Sequence, residues 1–335
     1  MALRMVAVLL SVPLAISVSS ATAADSGGTL LVAVKGAQTL TFVDPASGQV
    51  VASTPEGGIT GHEVIASPDG RRAYVPIYGN SGVGKPGTDG STLAVIDTAS
   101  HKVVANIDFG HGVRPHCPVF GPKDGMLYVT TELEKSIAII DPKTNKIIGS
   151  IPTGQAESHM LALSHDGRRG YTANVGPGTV SVLDVKARKT LTVIPISGNT
   201  QRISISPDDS MVFTSDQTKP QLAVIDTATS KVAHWIPLPG TGYGSAPTSD
   251  GHWLLLAVPG TSQVAIIDIK AMKVARTIDV PATPQEVLIR PDGKAAYVSC
   301  DASSLVAEID LAEWKVTRLI KTGKNTDGLA WAAGK

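Results

Sequence analysis

The 335-residue chain is 42% hydrophobic, 17% charged and 4% aromatic, and its 29 Lys and Arg balance 29 Asp and Glu. A net charge of zero offers no basic stripe to a phosphate backbone, and 4 Trp, 6 Tyr and 4 Phe give few platforms for stacking bases, so no nucleic-acid partner is expected. High apolar content at low net charge excludes disorder, and 33 Gly with 22 Pro imply many turns.

Arg4 precedes an apolar run from Met5 to about Val18, and Ala21, Thr22 and Ala23 follow as a small-residue cleavage site. Residues 1–23 are read as a signal peptide cut after Ala23, and residues 24–335 as one domain working in the periplasm or outside the cell. The run is shorter than the ~20 residues that cross a bilayer. No later segment comes close without a Gly, Pro or charge, so an integral membrane protein is not expected. Cys117 and Cys300 are the only cysteines, which excludes a disulfide scaffold.

From there one pattern recurs. An apolar run ending in Asp closes at Asp44, Asp97, Asp141, Asp184, Asp226, Asp268 and Asp310, at spacings of 53, 44, 43, 42, 42 and 42 residues. Periods near 40 mark propellers or solenoids, and each unit here resolves into four alternating β runs, A to D, separated by turns. In one unit, A is Glu286–Arg290, B is Ala295–Cys300, C is Leu305–Asp310 and D is Trp314–Ile320. The chain opens on a B strand, Leu30–Val34, and finishes on an A strand, Leu329–Ala332, whose own B, C and D are missing. The expected fold is therefore all-β: a seven-bladed β-propeller of four-stranded antiparallel blades, closed by pairing the C-terminal A strand with the N-terminal B, C and D strands.

The stretches SPDGRRAYV (Ser67–Val75), KDGMLYVTT (Lys123–Thr131) and RPDGKAAYV (Arg290–Val298), with ID-x-x-x-x-K-V linkers, closely resemble the YVTN type of seven-bladed propeller, which is related to the lactonase-like propellers. The resemblance implies the fold over essentially all of residues 24–335. It carries over no lactonase active-site residue, because the namesake strand has drifted to YVPI, YTAN, FTSD and LLAV.

Function is sought where blades differ. The position opening each A strand reads Asp327, His62, His116, His159, Gln201, Tyr243 and Gln285 in blade order. Innermost strands converge at the channel mouth, so Asp327, His62, His116 and His159 form one arc, a ligand set suited to a divalent Zn, Cu, Fe, Ni or Mn ion. Opposite stand Gln201, Tyr243 and Gln285, with Arg202, Glu63 and Glu286 joining them only if their strands twist inward; strict alternation points Arg202 between blades. Tyr243 and Glu63 are the candidate catalytic groups. Gln201, Arg202, Gln285 and Arg114 are the candidate substrate-binding groups, and Glu157 is a further rim residue. At the ends of B strands, Glu132, Asn174, Asp216 and Asp301 are candidates for orienting imidazoles. The 53-residue spacing comes from an insertion, Tyr78–Gly90, that rises beside His62 as a candidate lid. It is no phosphate loop, since no helix follows and its Gly-Lys lacks a Ser or Thr.

Two functions compete on these residues. One is a metal-dependent enzyme performing hydrolysis, elimination or a redox step on a small extracellular molecule, a lactone included. The other is a non-catalytic propeller whose funnel or face binds a small molecule or a periplasmic or envelope protein.

Overall fold

The computed structural model describes residues 27–80 and 82–334, so the expected signal peptide lies outside the described residues. Seven four-stranded antiparallel sheets follow one another, each blade packing its inner strands against the next and the last against the first, as the repeat count predicts. The closing sheet pairs Thr326–Ala333 with Gly28–Val34, placing Leu30 opposite Trp331, Leu31 opposite Ala330 and Val32 opposite Leu329. Only two single 3-10 turns, Pro259–Thr261 and Asp301–Ser303, interrupt the strands among the described residues.

Local chemistry explains the repeat. Each strand-C Asp caps the following hairpin: Asp184, Asp226 and Asp310 accept the amides of Ala187, Thr229 and Glu313 at 2.8, 2.7 and 2.7 Å. Those turns place Arg188, Ser230 and Trp314 at φ of 52°, 54° and 54°, a left-handed conformation that the aspartate bonds help to hold without a glycine. At the A-to-B turn, Ser67 Oγ donates to Asp69 at 2.6 Å and Gly70 supplies a φ of 69°. Inner faces of Val, Ile, Leu and Ala then interlock between blades: Leu255, Ile266, Val298 and Ile309 form one such layer, and Leu31, Phe42, Val75 and Ile96 another.

The insertion is partly absorbed by the sheet. Blade two lengthens its B and C strands to Arg72–Gly79 and Asp89–Asp97, and only the tip between them is loop.

A covered polar pocket at the channel mouth

The A strands do not begin as regular strands. Registers slip between Pro115 and Pro118, Ser158 and Met160, Thr200 and Ile203, and Pro284 and Val287. Each slip is a bulge, which breaks alternation and re-aims a side chain. Arg202 therefore does not point between blades as alternation implies. Both Gln201 and Arg202 line a cavity of about 190 Å³ together with Lys35, His62, Tyr78, Gly82, Val83, His116, His159, Tyr243 and Asp327.

The three histidines lie together. His116 and His159 overlap with ring centroids 3.6 Å apart, and His62 meets His116 edge-on at 5.6 Å. Burial pushes the His62 imidazolium down to about 4, against a partial opposing pull from Asp327, and pushes His116 well below its ordinary value. Both rings are therefore neutral at physiological pH and keep a lone pair. His159 Nδ1 is bound by Glu132, which leaves Nε2 toward the Gln201 side-chain amide at 3.1 Å. His116 Nδ1 is buried without a partner. Among the described residues, no three His, Cys, Asp or Glu side chains surround a common point at ligating distance.

Asp327 closes the arc but is engaged elsewhere. Lys35 Nζ approaches it at 2.9 Å and Arg202 Nη2 at 3.5 Å, and these two cations hold its carboxyl below the usual range against the effect of burial. Arg202 spans the floor: Nη1 contacts Glu63 and, at 2.9 Å, Glu286, while its guanidinium lies 4.6 Å from the Tyr243 ring centroid. Burial and neighbouring carboxylates raise both glutamates against the pull of Arg202.

The other expected residues are dispersed. Gln285 uses its backbone carbonyl to accept the Gly244 amide and lies outside the cavity lining. Arg114, instead of facing a ligand, grips the insertion: it donates to Asp89 at 2.6 Å and to the Lys85 carbonyl at 2.7 Å. Glu157 rests near Gly84 of the same loop. Glu132 orients an imidazole as expected, whereas Asp301 pairs with Lys35 at 3.2 Å, Asn174 binds Ser158 and Ser181, and Asp216 binds Thr218 and Gln221. Cys117 and Cys300 are both free.

Lys35 and Tyr78 were missed as site residues. A signal for them exists: counting four residues from Leu31, Tyr74, Tyr128 and Tyr297 gives Lys35, Tyr78, Glu132 and Asp301, a second set of unlike residues at equivalent strand-B ends.

These elements define a seven-bladed β-propeller with a polar pocket covered at one mouth of its channel. A family model described as the cytochrome D1 heme domain matches residues 120–250, which include His159, Gln201, Arg202 and Tyr243. The seven-bladed beta-propeller protein Rv1057 of Mycobacterium tuberculosis is 27% identical over 168 residues, a match covering 50% of this chain and 38% of that protein. Hydrazine synthase of Kuenenia stuttgartiensis superposes with a TM-score of 0.73 at 20% identity, over 89% of this chain and 99% of that one. Dihydro-heme d1 dehydrogenase NirN in complex with DHE gives 0.67 at 14% identity, over 92% and 76%. At such identities the structural likenesses establish the fold alone.

Proposed function

We propose that the pocket takes up a divalent transition-metal ion, Zn, Cu, Fe, Ni or Mn, on His62, His116 and His159, and presents it to a small molecule from outside the cytoplasm. The observation that carries this reading is the buried, unpartnered Nδ1 of His116 between two further imidazoles, those of His62 and His159. Charge supports it: Glu63, Glu286, Asp301 and Asp327 gather about Lys35 and Arg202, and burial raises Glu63 and Glu286, so a nearby cation favours their ionised forms. The donor set fits an ion, and loading requires the overlapped rings of His116 and His159 to turn apart.

Such an ion, when bound, polarises a carbonyl or lowers the pKa of water. The protein supplies the rest. Glu132 fixes the tautomer of His159, with Nε2 left as the donor atom. Tyr243, whose phenol burial keeps protonated, is a proton donor, and Gln201 offers its amide to a polar substrate group. Asp327 acts through charge on His62, and Glu63 is tied to Arg202. This favours hydrolysis or elimination on a small compound.

A heme, the group named in the matching family model, does not fit. The covered cavity of about 190 Å³ is below the roughly 300–1,000 Å³ of sites for drug-sized ligands, and Lys35, Asp327 and Arg202 lie across it.

Elemental analysis of metal-supplemented protein tests the proposal. About one ion per chain is expected in the wild type, near-complete loss in His116→Ala and His159→Ala, and about 10–100-fold weaker binding in Glu132→Gln. A wild type that retains no ion, or variants that retain it fully, would overturn the reading. A heme absorption band in the purified protein would do the same.

A further inference from the structure

We infer that Tyr78 positions the histidine arc and couples it to the loop above, so that the insertion of blade two gates the pocket. Tyr78 is fully buried at the root of the insertion and touches all three histidines. Its ring stacks on His62 at 4.7 Å and meets His116 and His159 edge-on at 5.3 and 6.2 Å. Its hydroxyl donates to Glu132 at 2.8 Å, and the other oxygen of that carboxylate binds His159 Nδ1. One side chain thus fixes His62 by contact and His159 through Glu132.

The same residue meets the latch of the loop. Gly82 and Val83 line the cavity beside the histidines, so the loop forms part of its wall. It is held down by Arg114, whose guanidinium donates to Asp89, to the Lys85 carbonyl and, at 3.4 Å, to the Gly82 carbonyl, while lying 5.9 Å from the Tyr78 ring centroid. Arg114 is itself 5% exposed. Charge-assisted bonds of this kind, anchored by a buried guanidinium, favour one arrangement of the loop over its alternatives. Lifting the loop uncovers the pocket and removes the packing that holds Tyr78 against His62. Entry of a ligand and alignment of the imidazoles are then one event, with Arg114 and Asp89 as its control.

The inference rests on the histidine pocket of the proposed function, but its test needs no metal. Acylation of individual histidines by diethyl pyrocarbonate is followed by peptide mass spectrometry on the full metal-free chain, with exposed His165 as the internal reference. Arg114→Met and Asp89→Asn are expected to speed modification of His62 and His116 by about tenfold, the scale of one charge-assisted hydrogen bond. Tyr78→Phe, which keeps the stack and loses the hydroxyl, is expected to speed His159 and leave His62 shielded; Tyr78→Leu should expose both. Should Arg114→Met fail to fold, the exposed Asp89 substitution carries the test. Unchanged rates in the Asp89 variant, or identical behaviour of the two Tyr78 variants, would overturn the inference. Shifted rates in a protein that binds no ion would leave the gate standing and remove the metal.

Discussion

Glu56 shows how much a single buried acid can contribute at this mouth. It is wholly buried; Oε2 accepts the Gly61 amide at 2.8 Å and Oε1 has no partner. Burial lifts its pKa from 4.5 to about 7, against the downward pull of that amide. The folded chain therefore holds this proton more tightly than the unfolded chain, so the acid's contribution to stability falls as pH rises from about 4.5 and is lost above about 7. Glu56→Gln keeps an acceptor for Gly61 and abolishes the ionisation. Its melting temperature is expected to match the wild type near pH 4.5 and to exceed it at pH 8, by a stability difference of about 3 kcal/mol. Coincident melting curves at pH 8 would show that Glu56 ionises without cost. His62, one residue beyond Gly61, behaves oppositely: pushed down to about 4, it loses its contribution on acidification from about 6.5.

At the scale of the element, the opening of strand A decides what the pocket contains. The repeat pattern makes the channel-mouth position of each A strand legible, because turn spacing fixes it; His116, His159 and Asp327, each second in its strand, and His62 and Tyr243, just ahead of theirs, follow from counting. The following residue is not legible in the same way. A bulge is a choice between two backbone arrangements with nearly the same sequence requirements, and it turned Arg202 from an interblade residue into the floor of the pocket. Tyr78 was hidden for a related reason, since extra hairpin length carried the start of the insertion into the sheet. Arg202 is now the testable member. Arg202→Met leaves Glu63, Glu286 and Asp327 without their shared cation and is expected to destabilise the fold by about 3–5 kcal/mol, with Arg202→Lys only partly restoring it. A denaturant midpoint equal to that of the wild type would show that the three acids are neutral or hydrated without Arg202.

At the scale of the molecule, closure was readable from strand arithmetic alone, since an unpaired A strand at one end and a blade lacking its A strand at the other have one economical solution. The final strand also carries function into the ring: Gly328 donates its amide to the His62 carbonyl at 2.9 Å, and a side chain at Gly328 would meet the Glu63 Cα at 2.6 Å. A chain ending before Thr326 exposes the edge of Gly28–Val34 and the interblade apolar layer, so it is expected to lose cooperative unfolding and to aggregate. A single sharp transition near the wild-type midpoint would show that six blades and a partial seventh suffice.

The ion pair between Lys35 and Asp327 joins residues almost the whole described chain apart. The pair forms only when the last strand docks, because Lys35 directly follows the strand Gly28–Val34 and Asp327 lies in Thr326–Ala333, which pairs with it. During synthesis, a ribosome delivers the six other A strands before this pair can form, so the pocket is completed only once Thr326–Ala333 has been made. Long-range closure of this kind is slow. A ligand that needs the finished mouth thus selects chains that have completed the circle, and its binding adds to the stability of the closed ring alone.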